Sequence, residues 1–149
     1  MLARAVFAVI ALPGVVAVAI PLALVWGGRS QWQFQPVGLI PLFLGGLLLG
    51  WCVREFYTAG KGTLAPWSPP KHMVVSGPYR LCRNPMYVAV GLVLVGWAAL
   101  FRSSALVIYA VIVSMAFHLR VLYWEEPWLL RTFGPAWDTY RMRTKRWLF

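Results

Sequence analysis

Two short stretches hold nearly every side chain of this sequence that could do chemistry. The first is 59–87, AGKGTLAPWSPPKHMVVSGPYRLCRNPMY, in which His72, Tyr79, Arg80, Arg83, Asn84 and Tyr87 fall among prolines and glycines. The second begins at Arg120 and carries Glu125-Glu126, two of the four acids in the chain. Pro66, Pro69, Pro70 and Ser76-Gly77-Pro78 exclude one continuous helix over the first stretch, because proline lacks an amide hydrogen and restricts the residue before it. Its end predicts a helix start, with Asn84 as cap and Pro85 at the first helical position, so free backbone N–H groups there would welcome an anion. Paired carboxylates and aromatic faces attract an ammonium or a sulfonium, while arginines and backbone donors hold a carboxylate or a phosphate. Together the two stretches suit an amphiphilic substrate and a polar, partly cationic cofactor. The plainer alternative keeps Arg80 and Arg83 as interfacial anchors, and the acids as helix-dipole partners paired with Arg120 or Arg83.

The elements that position these residues follow from composition. Of 149 residues, 60% are hydrophobic and only 12% charged, about half the charge of a soluble domain. So few charges could not cover a water-exposed surface, and the composition fits neither disorder, nor collagen, nor a disulfide scaffold. The expectation is an all-α, polytopic membrane protein forming a single domain over 1–149, with about four spans near 5–26, 36–53, 84–101 and 103–119. Pro13, Gly14 and Pro21 predict a kink in the first span, tolerable where neighbouring helices satisfy the freed backbone groups. A signal peptide cleaved after Ala17-Val18-Ala19 is the alternative for that segment. The third and fourth spans must form a tight hairpin, and Gly45, Gly46, Gly50, Gly91 and Gly96 could let helices approach closely. Pro127 predicts the start of a further helix, whose Trp128, Leu129, Leu130, Phe133 and Trp137 would lie along the membrane surface.

Fourteen cations against four acids give a net charge of +10. In the four-span arrangement only Arg29 and Arg102 fall on one side and the other twelve on the opposite side. The positive-inside rule then places both termini and the 59–87 stretch in the cytoplasm, at the inner membrane if the host is a bacterium. This distribution, with attraction to anionic lipid headgroups, accounts for the basic charge without a nucleic-acid partner. Two cysteines, Cys52 and Cys82, on that side predict free thiols rather than a disulfide. The spacing of Cys, His and acids contains no metal-ligand pattern.

The run from His72 through Val75, Gly77, Tyr79, Arg83-Asn84-Pro85-Met86-Tyr87, followed by Glu125-Glu126, Leu129, Phe133-Gly134, Trp137, Tyr140 and Arg146, resembles the isoprenylcysteine carboxyl methyltransferase family. The wider group includes phospholipid N-methyltransferases and, more distantly, membrane sterol reductases. The resemblance covers about the C-terminal 80 residues. It implies a membrane methyltransferase using S-adenosyl-L-methionine without a Rossmann domain. It further implies that His72, Met73, Val74, Val75 and Tyr79 lie along the cofactor, and that Asn84, Pro85, Met86 and Tyr87 flank its ribose and amino-acid part. Glu125 would bind its polar end, with Glu126 in support. Two positions depart from the family pattern. Asn84 stands where the family has His, and it cannot titrate near neutral pH. Val121 stands where the family places a substrate-binding Arg, with Arg120 one residue earlier and turned by about 100° on an α-helix.

Methyl transfer is an in-line displacement, so the protein must hold a nucleophile against the methyl and exclude water. A carboxylate is ionised at pH 7 and needs no base, and Arg120 or Arg83 could orient it. An ammonium must first lose a proton, for which Glu126 is the nearest acceptor. The readings are therefore a carboxyl methyltransferase of an amphiphilic or lipidic substrate, a phospholipid N-methyltransferase, or a non-catalytic membrane subunit or lipid-binding module. Oligomeric state is open.

Overall fold

The computed structural model describes residues 10–28, 33–61 and 71–148. All regular structure among them is helical. Helix α1 covers 10–27, wound as a π-helix over Ile10–Ala19 and as an α-helix over Ile20–Gly27. Helix α2 is Pro36–Thr58, α3 Pro85–Phe101, α4 Ser104–Phe133 and α5 Pro135–Arg143. A 3₁₀ turn, Gly77–Arg80, interrupts the α2–α3 connection. Helices α2 and α4 are long and apolar enough to cross a membrane, while α3 and the 13–27 part of α1 are apolar but shorter. The outward faces of α2 and α4 are bare hydrocarbon, with Phe43 68% and Val111 61% exposed, as expected where lipid rather than water is the solvent.

The prolines of α1 decide how it docks. Pro21 has no N–H to give the carbonyl one turn back, which leaves acceptors free near Ala17. Trp97 Nε1 donates to the Ala17 carbonyl at 2.9 Å and Tyr109 OH to the Val16 carbonyl at 3.0 Å. The segment is thus bound into the bundle by α3 and α4, and the disturbance expected at Pro13 takes the form of π winding. Residues 5–9 of the expected span and Pro66, Pro69 and Pro70 of the connection lie outside the described residues.

Close packing of α2 on α3 depends on particular glycines. A Cβ on Gly45 would stand 2.8 Å from the Ala89 carbonyl oxygen, and one on Gly96 2.6 Å from Leu42. Gly46, Gly50 and Gly91 face open space, so only two of the five expected glycines serve this contact. The hairpin between α3 and α4 is as tight as expected: Arg102 takes a left-handed conformation (φ 45°) and Ser103 Oγ accepts from Leu106 N–H.

Two expectations are corrected. The helix expected to stop near 119 runs on to Phe133, so Pro127 starts no new helix. A π-helical turn over Val121–Glu125 directly precedes it and widens the winding enough to admit its ring. The break falls instead at Gly134, whose φ of +50° ends α4. Trp137 therefore leaves the face it was expected to share with Trp128 and Phe133; it is 3% exposed on α5, packed inward.

Candidate active site

The π-helical turn sets the geometry of Arg120 and Glu125. Within it the Glu126 N–H bonds to the Val121 carbonyl, five residues back, so residues five apart stack as residues four apart do on an α-helix. Arg120 Nε consequently donates to Glu125 Oε1 at 2.8 Å, and Val121 is fully buried. The extra residue in the turn thus puts Arg120 on the face of Glu125. Tyr87, from the first turn of α3, donates its hydroxyl to the same oxygen and packs its ring, tilted by 31°, on Phe117 at 4.4 Å. Both bonds end on Oε1, and among the described residues Oε2 of this part-exposed carboxylate takes no hydrogen bond, so it can accept a further donor.

Glu126 is arranged differently. Arg146 grips it in a fork, Nε to Oε1 at 2.8 Å and the terminal nitrogen to Oε2 at 2.9 Å, and Arg83 adds a contact at 3.3 Å. Both carboxylate oxygens are taken. Arg83 stacks over Trp137 at 5.4 Å, and its own burial lowers its guanidinium pKa, the nearby Glu126 opposing that shift. The bond to Glu126 raises that of Arg146. Arg83 N–H donates to the Lys145 carbonyl at 2.8 Å and Asn84 Nδ2 to the Arg146 carbonyl at 3.1 Å. Asn84 thus occupies the cap position expected of it, yet its side chain ties down the C-terminal segment instead of capping α3. The first amide groups of α3 are left without a side-chain cap.

The 71–84 connection forms the third wall. His72 N–H is bonded to the Gly60 carbonyl at 3.3 Å, and Met73 to Val75 belong to neither helix nor strand. Val74 and Tyr79 are buried with Cys52 in a cluster that also packs Met86, while Val75 stays exposed. Burial raises the Tyr79 phenol pKa, and the Tyr79 carbonyl accepts from Tyr140 OH at 2.6 Å. A residue the sequence reading passed over anchors this wall. Glu55, near the end of α2, accepts from Ser76 Oγ and from Trp51 Nε1 at 3.3 Å. Gly77 (φ +55°) presses so closely on it that a Cβ would stand 2.9 Å from the carboxyl carbon. The signal was its scarcity: one of four acids, set among apolar residues.

Residues 35–136 match the family described as Phospholipid methyltransferase. The chain belongs to this family. It lies in the same superfamily as the isoprenylcysteine carboxyl methyltransferases it resembles. Among curated proteins it is similar to the nickel-cobalt-cadmium resistance protein NccN of Alcaligenes xylosoxydans xylosoxydans, 30% identical over 139 residues, covering 87% of this chain and 59% of the relative. It is also similar to the cobalt-zinc-cadmium resistance protein CzcN of Cupriavidus metallidurans, 30% identical over 136 residues, covering 87% of this chain and 58% of the relative. The chain thus spans a little under three-fifths of these relatives. No solved structure matches it.

Within this phospholipid methyltransferase family member, the fold brings Tyr87, Arg120 and Glu125 into one cluster and Arg83, Asn84, Glu126 and Arg146 into a second beside it. Tyr79 is buried in the core with Cys52 and Val74 and makes no side-chain hydrogen bond to either cluster among the described residues. Among the described residues no group of three or more His, Cys, Asp and Glu could hold a metal ion. Beside Tyr87, Oε2 of Glu125 can accept from an ammonium and the start of α3, which has no side-chain cap, can donate to a carboxylate.

Proposed function

We propose that this chain is an integral-membrane methyltransferase that uses S-adenosyl-L-methionine and methylates a carboxylate of an amphiphilic substrate. The observation that carries the reading is the unused Oε2 of Glu125 beside the uncapped N-terminus of α3. When bound, S-adenosyl-L-methionine supplies a sulfonium methyl group to an attacking nucleophile. Glu125 would hold its ammonium, the first amides of α3 its carboxylate, and the 73–75 backbone its adenine edge.

The residues divide the remaining work. Arg120 spends only Nε on Glu125 and its side chain is 54% exposed, so its terminal nitrogens can grip a substrate carboxylate in a fork. Such a nucleophile is already charged and asks no base of the protein. That suits a site in which both oxygens of Glu126 are occupied by guanidiniums. Glu126, Arg146 and Arg83 instead latch the C-terminal segment over the connection, excluding water from one side. In membrane orientation we place four spans, with both termini and the site on the cytoplasmic side where twelve of fourteen cations fall.

A second reading is N-methylation of a phospholipid amine, favoured by the description of the matched family. Incubating purified protein with methyl-labelled S-adenosyl-L-methionine and a membrane extract separates the two. A base-labile methyl ester is the expected product. A base-stable labelled lipid supports the amine reading, and no transfer with active preparations overturns both.

A further inference from the structure

Glu55 has no part in the two charged clusters, yet it is buried near the end of α2, where a carboxylate is costly unless donors meet it. Both of its oxygens are met. Trp51 Nε1, one turn back on the same helix, donates to Oε1 at 3.3 Å, and Ser76 Oγ donates to Oε2 from 21 residues away. An ionised carboxylate only accepts, so the direction of both bonds is fixed. Arg54 stands 3.8 Å from Oε1, but its side chain is largely exposed and the contact is weak. Gly77 closes the contact from the other side: a Cβ there would stand 2.9 Å from the Glu55 carboxyl carbon and 2.9 Å from Trp51 Nε1.

A second tie lies just beyond α2. The Gly60 carbonyl accepts from Lys71 N–H at 2.9 Å and from His72 N–H at 3.3 Å, while Gly60 N–H bonds back to the Glu55 carbonyl at 3.2 Å. The end of α2 therefore holds the connection at Lys71-His72 and again at Ser76. Met73, Val74 and Val75 bridge the two ties. Val74 packs with Cys52, and no backbone group of these three residues bonds to another described residue. So short a bridge between fixed ends has little slack, and a ligand that bonds along it loses little entropy in ordering the backbone.

We infer that Glu55 is a positioning residue for the cofactor: through Ser76 it fixes the 73–75 backbone and so sets the affinity for the adenine end, acting through that wall rather than by its own contact. The inference rests on the reading of this chain as a methyltransferase whose 73–75 backbone meets the adenine edge of S-adenosyl-L-methionine. It accounts for a charge at a place where an apolar side chain could fill the same space. An apolar group would pack against Ser76 but could not fix the direction of its hydroxyl.

The test uses the full chain in detergent, with calorimetric titration of S-adenosyl-L-methionine and melting curves on the same samples. Ser76→Ala removes the donor alone, Ser76→Thr keeps a hydroxyl, and Glu55→Gln keeps the size of the acceptor. Thr58→Ala, which deletes a hydroxyl bonded only within α2, is the control. Ser76→Ala and Glu55→Gln are each expected to weaken cofactor binding about tenfold, the scale of one hydrogen bond to a charged group. The melting transition of Ser76→Ala should stay unchanged, Ser76→Thr should restore the affinity, and Thr58→Ala should match the unaltered chain. Because Glu55 acts through Ser76, the double variant should bind within about twofold of either single one. Trypsin reads the wall without cofactor: cleavage after Lys71 is expected to be about threefold faster in Ser76→Ala. Unchanged affinity in Ser76→Ala, additive losses in the double variant, no rescue by Ser76→Thr, or an equal loss in Thr58→Ala overturns the role of Glu55 while the methyltransferase reading stands. No cofactor binding by the unaltered chain is a different failure, which overturns that reading and this role with it.

Discussion

Arg120 Nε lies 2.8 Å from Glu125 Oε1 across a π-helical turn, a contact an unbroken α-helix would deny to residues five apart. The pair is part-exposed, so its worth to stability is small, about 0.2–1 kcal/mol. Its worth to function is larger if Arg120 orients the substrate. Arg120→Ala is expected to leave the melting transition nearly unchanged and to lower kcat/KM by at least about tenfold, or 1.4 kcal/mol. Melting curves and initial rates on one preparation check it, and a variant with full activity removes Arg120 from the site.

The two adjacent acids should separate cleanly. Removing one partner of a well-paired, largely buried ion cluster strands the others, at about 3 kcal/mol. Glu126→Gln is therefore expected to lower thermal stability strongly and to expose the 144–148 segment to protease. Glu125→Gln, with one oxygen unengaged, is expected to melt close to the unaltered chain while losing cofactor affinity. The reverse pattern would exchange their roles.

Glycine packing predicts a contrast along α2. Gly45→Ala drives a methyl group into the α3 backbone at 2.8 Å, and overpacking of this kind costs about 1–3 kcal/mol. Gly46→Ala meets nothing within 4 Å and is expected to be neutral or slightly stabilising through helix propensity. Melting in detergent distinguishes the two variants directly.

Alkaline pH should weaken the connection before it affects the bundle. Burial raises the pKa of the Cys82 thiol and of the Tyr140 phenol, so the folded state keeps protons that the unfolded chain releases from about pH 8.5 for cysteine and about pH 10 for tyrosine. Their contribution is fully present below those values and lost as pH rises through the folded ones. The melting temperature is expected to be flat between about pH 6 and 8 and to fall above about pH 9. Folded protein should also resist iodoacetamide at Cys82 at pH 8; rapid alkylation there would contradict the burial.

The apolar helices and the tight hairpin were legible because apolar run length and the short break between the last two runs are local signals. Glu125 and Tyr87 stood out through their place in a family pattern. Three features were not legible. The π turn at 121–125 leaves no mark in side-chain periodicity over so short a stretch, so Arg120 seemed misplaced and Pro127 read as a helix start. Asn84 has the chemistry of a cap, and only the return of Arg146 to its side chain, 62 residues away, redirects it. Glu55 carries the Ser76 connection through a contact across 21 residues, a separation no local pattern encodes.

Calorimetric titration with S-adenosyl-L-methionine shows whether Oε2 of Glu125 helps hold that cofactor. The purified chain is expected to bind saturably, and Glu125→Ala, still inserted in the membrane and melting normally, to show no measurable binding. Unchanged affinity in Glu125→Ala would remove Glu125 from the cofactor site.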